Sequence, residues 1–120
     1  MHRSRLAAIA IDCPTGAHDD TVSFWSGALG GEPKAEGEYT AVGHVAGREV
    51  FVQRIDGEPR LHLDIETDDV EAEVARLEQL GATRVRPERT WWIMRDPSGQ
   101  LFCVVRPQTP DFPGDAATWP

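Results

Sequence analysis

Lysine is almost missing from this sequence, in which Lys34 stands against eleven arginines. Lysine-based covalent chemistry near the centre of the chain is therefore not expected. Cys13 and Cys103 are too few and too far apart to indicate a disulfide framework. Long apolar runs are also lacking, because the run Leu6–Ile11 is too short for a signal peptide or a membrane span. These absences predict a cytoplasmic protein in a reducing compartment.

Basic charge is scarce as well. Twenty acidic residues against 12 basic ones give a formal net charge of -8. Nucleic-acid backbones and anionic membranes would be repelled by this excess, so neither is expected as a partner. What the sequence does have is an ordinary globular composition, with 40% hydrophobic and 27% charged residues. Its 120 residues suffice for one domain with a hydrophobic core.

The first half of the chain predicts a strand, a helix and three short strands. The strand Leu6–Ile11 ends in a turn sequence, and Asp19 or Asp20 is positioned to cap the helix that follows. Its apolar residues, Phe24 and Trp25 among them, recur at helical spacing and are expected in the core. Gly30-Gly31 ends this helix. The three strands are predicted around Glu32–Ala35, Tyr39–Val45 and Glu49–Ile55.

The second half repeats this order. A strand over Leu61–Glu66 precedes a helix that Asp68 or Asp69 caps and Gly81 ends. Strands near Arg84, over Thr90–Arg95 and over Leu101–Arg106 follow. The repeat predicts a single α+β domain over residues 1–120, with βαβββ modules at about 5–55 and 60–106. The proline-rich residues 107–120 predict an extended or disordered tail.

The stretch RLHLDIETDD, Arg60 to Asp69, alternates apolar and polar side chains. If Leu61, Leu63 and Ile65 pack under a helix, then His62 and Asp64 point to the opposite face. A histidine oriented by a carboxylate is suited to moving protons. A hydrogen-bonded structural pair is the competing interpretation, and the sequence leaves both open.

These residues resemble the vicinal oxygen chelate superfamily, which contains glyoxalase I, bleomycin and fosfomycin resistance proteins and extradiol dioxygenases. LHLDIETDDVEAEVARLEQLGA and WWIMRDPSGQLFCVV resemble its glyoxalase-like members, and FWSGALGGEP resembles their shared helix end. The resemblance runs from about Leu6 to Arg106. It implies two βαβββ modules that form a U-shaped, eight-stranded mixed sheet around a central cleft, with the helices outside.

In metal-using members of the superfamily, each module supplies two ligands, one from its first strand and one from its last. Carried over by position, these four places hold Ala8, Gln53, His62 and Cys103. Alanine cannot bind a metal, and glutamine is a neutral, weak donor. No cofactor is therefore expected, and a metal, if present, would use His62, Gln53 and Cys103.

The resemblance and strand parity together give a set of ligand-contacting candidates. For the strand WWIM, either Trp92 and Met94 or Trp91 and Ile93 face the cleft, and Trp92 is favoured. The ligand-binding candidates are Phe51, Gln53, His62, Asp64, Trp92 and Cys103. The catalytic candidates are His62 and Asp64.

Three functions remain open on this basis. The leading hypothesis is a glyoxalase-like protein that binds a small organic molecule in its cleft, without the full metal site. The alternatives are a lyase or isomerase that uses His62 to move a proton next to a carbonyl, with or without a divalent metal, and a drug-sequestering resistance protein. Whether the protein is an enzyme is left open. A homodimer is expected, with Phe112, Trp119 and the proline-rich tail as candidate contacts.

Overall fold

The computed structural model describes residues 1–120 and contains two helices and nine strands. Parallel and antiparallel strand pairs both occur, so the α+β prediction is confirmed. The elements are β1 (His2–Pro14), a 3-10 turn (Thr15–Ala17), α1 (His18–Leu29), β2 (Lys34–Glu36), β3 (Tyr39–Val45), β4 (Arg48–Ile55), β5 (Arg60–Thr67), α2 (Val70–Gln79), β6 (Thr83–Glu88), β7 (Trp91–Arg95), β8 (Leu101–Val105) and β9 (Ala117–Trp119). The eight predicted strands are β1 to β8, and β9 was not predicted. No helix is long and apolar enough to cross a membrane.

The chain divides into two compact units. The first-half unit is Ala8–His62, and the second-half unit combines Met1–Ala7 with Leu63–Pro120. In the first-half unit the strand order is β2-β3-β4-β1, and in the second-half unit it is β5-β8-β7-β6. The first seven residues therefore group with the second half of the chain, and β5 begins in the first-half unit and continues into the second-half unit.

In the first-half unit, α1 packs on one face of β1, β3 and β4. Its core contains Ile11, Cys13, Val42, Val50 and Val52, with Ile9, Val22 and Trp25 packed against them. Asp19 and Asp20 lie in the first turn of α1, where their negative charges interact favourably with the positive end of the helix dipole. The residue before the helix, Ala17, makes no side-chain capping bond, so the predicted aspartate cap is wrong. Phe24 is 64% exposed and lies outside the core, contrary to expectation.

In the second-half unit, α2 covers β7 and β8 through Val74, Met94 and Val104. Asp69 caps this helix as predicted, because its side chain accepts a hydrogen bond from the backbone N–H of Ala72 at 3.0 Å. The predicted packing of the β5 leucines under a helix is wrong. Leu61 is 55% exposed and Leu63 is 48% exposed.

The C-terminal tail is folded rather than extended. Arg5 is buried and donates hydrogen bonds to Glu66, Asp111 and Asp115 at 2.7 to 2.8 Å. Thr109 accepts a further bond from Arg5 and donates one to Glu66. These contacts hold the tail against the core of the second-half unit, and sequence periodicity has no means of showing them.

The tail aromatics also contact their own chain. β9 pairs antiparallel with the start of β1, so that Trp119 lies opposite His2. The indole Nε1 of Trp119 donates to Ser4 Oγ at 2.9 Å, and the Arg76 guanidinium lies 3.8 Å from the ring centre. The Arg5 guanidinium lies 5.6 Å from the Phe112 ring centre. The premise that these two aromatics are left over for a second chain is therefore wrong.

Candidate functional site

One face of the first-half unit carries several of the predicted ligand-contacting residues. Val50 and Val52 of β4 pack in the core beneath α1. By strand alternation, Phe51 and Gln53 point to the opposite face. In the β1–β4 register, Ala10 lies beside Phe51 and Asp12 beside Gln53. We call this face of β1, β3 and β4, opposite α1, the Gln53 face.

Small and aromatic side chains shape the Gln53 face. Ala8 and Ala10 are both buried, and their small side chains project only a short distance from β1. On β3, Tyr39 lies opposite Gln53 in register. The rings of Tyr39 and Phe51 are in contact, with their centres 4.7 Å apart and their planes tilted by 47°. The face therefore combines an aromatic pair with an amide and a carboxylate, a mixture that suits a small organic ligand.

A carboxylate–histidine pair lies at the edge of this face. His62 Nδ1 and Asp12 Oδ2 are 2.7 Å apart, and Arg60 Nε donates to the same oxygen at 3.3 Å. Asp12 is only 2% exposed, whereas the His62 side chain is partly accessible. With Nδ1 as the donor, the imidazole presents Nε2 as an acceptor, and the carboxylate fixes the ring orientation.

Asp12 was not among the candidates, because in the sequence it only ends an apolar run before a turn. No local signal pairs it with His62, fifty residues away. Its other oxygen, Oδ1, is buried and has no hydrogen-bond partner. Leaving such an atom unsatisfied costs on the order of 1–3 kcal/mol.

In the second-half unit, Asp64 and Cys103 lie side by side. The β5–β8 register pairs Asp64 with Cys103, and the β7–β8 register pairs Cys103 with Ile93. Asp64 is buried, and Cys103 is a partly exposed free thiol. Glu66, two residues farther along the same face of β5, is taken up by Arg5 and by the backbone N–H groups of Gln108 and Thr109. Glu66 is thus a structural residue rather than a ligand contact.

Metal-ligating side chains occur in both units. In the second-half unit, Asp64 and Cys103 are paired in register on β5 and β8 and offer an oxygen and a sulfur donor. In the first-half unit, His62 offers a nitrogen donor, and the Asp12 carboxylate on its Nδ1 matches the usual support of a metal-bound imidazole. These are donor types that suit zinc. Asp64 was not among the metal ligands expected from the sequence.

The expected orientation of Trp92 is wrong. Trp92 and Met94 face α2, where both pack with the Val74 cluster. The Trp92 indole N–H donates to Glu71 of α2 at 3.1 Å, and the Arg84 guanidinium lies 4.7 Å from its ring centre. On β7 it is Ile93 that shares a face with Cys103. Trp92 instead lines a separate cavity of about 620 Å³ within the second-half unit.

The sequence profile of one family, described as a glyoxalase-like domain, matches residues 8–105. The fold is similar to an NAD-dependent benzaldehyde dehydrogenase from Legionella pneumophila, with a TM-score of 0.63 and 9% identity over 83% of this chain and 99% of that one. A Mn(II)-bound glyoxalase from Novosphingobium aromaticivorans gives a TM-score of 0.57 and 19% identity over 95% of this chain and 45% of that one. A mutant 4-hydroxymandelate synthase from Streptomyces coelicolor gives a TM-score of 0.56 and 16% identity over 92% of this chain and 51% of that one.

These similarities differ in what they establish. The chain spans about half the length of the glyoxalase and of the synthase. At such low identities, the solved structures show a shared fold and not a shared activity. No curated protein matches the chain. The family match, in contrast, covers most of the sequence and confirms the resemblance drawn from the residues.

Proposed function

Because the chain belongs to the glyoxalase-like domain family, we propose that it binds a small organic molecule on the Gln53 face, beside His62. The observation that carries this proposal is the 2.7 Å contact between His62 Nδ1 and Asp12 Oδ2 at the edge of that face. It fixes a partly accessible imidazole next to an amide and an aromatic pair. A planar ligand that contacts the partly exposed Tyr39, whose ring rests on buried Phe51, would present its polar groups to Gln53 and His62.

The ligand class follows from these groups. The aromatic pair favours a flat, apolar ring, and a carboxamide with an imidazole favours oxygens that both donate and accept hydrogen bonds. An aromatic hydroxyketone meets both requirements. We therefore choose 2-hydroxyacetophenone as the probe and acetophenone, which lacks the hydroxyl group, as its matched comparison.

The test is calorimetric titration of both probes into the protein and its variants. We expect 2-hydroxyacetophenone to bind more tightly than acetophenone, and binding to weaken by about tenfold or more in His62→Ala, as for a lost hydrogen bond in a buried site. His44→Ala is the matched control, because His44 is an exposed histidine of β3 in the same unit. Equal affinity for the two probes, or equal loss in the two variants, would contradict the proposal.

Proton transfer is a second candidate function, and the Asp12 contact favours it. A carboxylate on Nδ1 orients the ring and stabilises the imidazolium that forms when Nε2 takes a proton. The substrate would carry an acidic C–H next to a carbonyl, as the probe does. In D2O, proton NMR should then show exchange of the CH2 protons of 2-hydroxyacetophenone, catalysed by the protein and lost in His62→Gln. Exchange at the uncatalysed rate would leave binding as the function.

A metal is not required for either function in this proposal. His62 is the ligand that the first-half unit would supply to a divalent ion, which when bound would polarise a carbonyl oxygen. The hydrogen bond to Asp12 orients His62 in the absence of such an ion. The proposal therefore keeps the metal-free form of the binding site, and chelation should leave probe affinity unchanged.

A further inference from the structure

The first-half unit has a cavity of its own, distinct from the one that Trp92 lines. It lies on the α1 side of the sheet, away from the Gln53 face. Its volume is about 460 Å³, within the range of roughly 300–1,000 Å³ typical of small-molecule sites. The first turn of α1 contributes His18 and Asp19, β3 contributes Thr40 and β4 contributes Arg54. Strand alternation sends Arg54 to the same side as Val50 and Val52, opposite Gln53.

A buried histidine in this cavity has an unmet hydrogen-bonding atom. His18 is 4% exposed, and its Nε2 is 3.2 Å from Thr40 Oγ1. Its other ring nitrogen, Nδ1, is buried and has no partner. Burial, followed by the nearby charge of Arg54, lowers the pKa of His18, so the ring is neutral at pH 7. The ring therefore adds no charge of its own to the cavity.

Two opposite charges line the cavity without pairing with each other, and both side chains are exposed to solvent. The Arg54 guanidinium and the Asp19 carboxylate form no ion pair or side-chain hydrogen bond, although both line this cavity. Asp19 follows His18 in the first turn of α1, and Arg54 lines the same cavity from β4. The two side chains therefore flank one space without closing on each other.

From this arrangement we propose that the cavity binds a zwitterionic α-amino acid with an apolar side chain. The ligand carboxylate pairs with Arg54 and the ligand ammonium with Asp19, so that each ligand charge meets an opposite charge. Val22 and Ala35, which also line the cavity, receive the apolar side chain.

This binding is separate from the proposed function on the Gln53 face. The two sites lie on opposite faces of the same strands and share no residue. A protein that fails to bind 2-hydroxyacetophenone can still bind an amino acid, and the reverse also holds. The two proposals can therefore fail independently.

The test uses L-leucine and two analogues that each lack one charge. These are 4-methylpentanoate, which lacks the ammonium group, and 3-methylbutylamine, which lacks the carboxylate. Calorimetric titration of the full chain should show binding of L-leucine at least about tenfold tighter than that of either analogue, as expected for the loss of one charge-assisted hydrogen bond. Equal affinity for 4-methylpentanoate and L-leucine would mean a simple anion site and would overturn the proposal.

Substitutions of the lining residues test whether L-leucine binds in this cavity. Arg54→Gln and Asp19→Asn should each weaken L-leucine binding by about tenfold or more. The matched control is Arg89→Gln, which removes an arginine from the other cavity. In proton–carbon NMR spectra, the His18 ring signals should shift when L-leucine is added, and those of exposed His44 should not. No measurable binding at millimolar L-leucine, or binding that Arg54→Gln leaves unchanged, would refute the site.

Discussion

Arg5 Nε and Glu66 Oε2 lie 2.8 Å apart with both side chains buried, and this ion pair joins the first strand to the fifth within the second-half unit. Glu66 also accepts hydrogen bonds from the backbone N–H groups of Gln108 and Thr109. Burial alone would raise the pKa of Glu66, but bonds from Thr109 and Arg5 outweigh burial and lower it. This pair makes the acidic residue a structural anchor for the tail.

The first prediction concerns this anchor. Arg5→Met removes the partner of a buried carboxylate and should lower the free energy of unfolding by about 3–5 kcal/mol. Urea denaturation followed by tryptophan fluorescence measures the change. Arg3→Gln is the control, because the Arg3–Asp68 pair is partly exposed and should contribute only about 0–1 kcal/mol. Equal losses in the two variants would show that burial of the Arg5 pair has no special effect.

The second prediction is acid sensitivity. Glu66 and Glu73 both have a pKa below the ordinary value of 4.5. For Glu73, bonds from Arg76 and other side chains outweigh the upward effect of burial. As pH falls through about 4.5, the unfolded state takes up protons first, so the free energy of unfolding should fall until the folded-state pKa values are passed. Urea denaturation between pH 7 and pH 3 measures this slope, and Glu66→Gln should flatten it. A slope unaltered in that variant would assign the acid sensitivity to other groups.

The third prediction separates a close backbone approach from helix propensity. A Cβ on Gly31 would overlap the carbonyl oxygen of Val42, so Gly31→Ala should destabilise the protein. A Cβ on Gly27, inside α1, meets nothing within 4 Å, so Gly27→Ala should stabilise the protein by about 0.5–1 kcal/mol. The midpoint temperatures of thermal unfolding of the two variants should therefore shift in opposite directions. Shifts of the same sign would contradict this account of Gly31.

The fourth prediction concerns assembly. The homodimer remains a prediction, but its contacts should not be the tail aromatics, which are used within the chain. We expect light scattering at micromolar concentration to give the mass of a dimer. The half-exposed Leu63 is a better candidate contact, and Leu63→Glu should shift the mass toward a monomer. Removal of residues after Arg106 is a poor test, because it also removes the Arg5 contacts. A monomeric mass for the unaltered chain would refute the dimer.

The fifth prediction concerns metal. The family position at Ala8 offers no ligand, and Cys103 must lose its proton before it binds zinc. We expect elemental analysis of protein purified without chelator to show well under one divalent ion per chain. EDTA should leave the binding of 2-hydroxyacetophenone unchanged. Close to one zinc, nickel or iron per chain, lost in His62→Ala, would establish the metal-dependent alternative.

Local patterns in the sequence predicted most of the elements. β3 begins and ends at the predicted residues, Tyr39 and Val45, because its alternation and its flanking turns are local. Asp69 was among the predicted caps for the same reason. α1 differs because a 3-10 turn runs directly into it, so that no side chain caps its first residues.

The wrong orientation of Trp92 and the contacts that were not predicted have a common physical cause. Trp91, Trp92, Ile93 and Met94 are all apolar, so the sequence of β7 carries no alternation that could assign its faces. The Asp12–His62 and Arg5–Glu66 contacts join residues 50 and 61 positions apart. Such pairs depend on strand order, which local periodicity does not contain.

The pairing of β9 with the start of β1 places His2 opposite Trp119, so the two ends of the chain leave this ribbon side by side. A force applied at Met1 and Pro120 would therefore peel the two strands apart one pair at a time. Peeling breaks backbone hydrogen bonds in succession, whereas sliding the strands past each other would load them together. The ribbon should consequently open at low force and release the indole of Trp119 from Arg76 before the helices are disturbed.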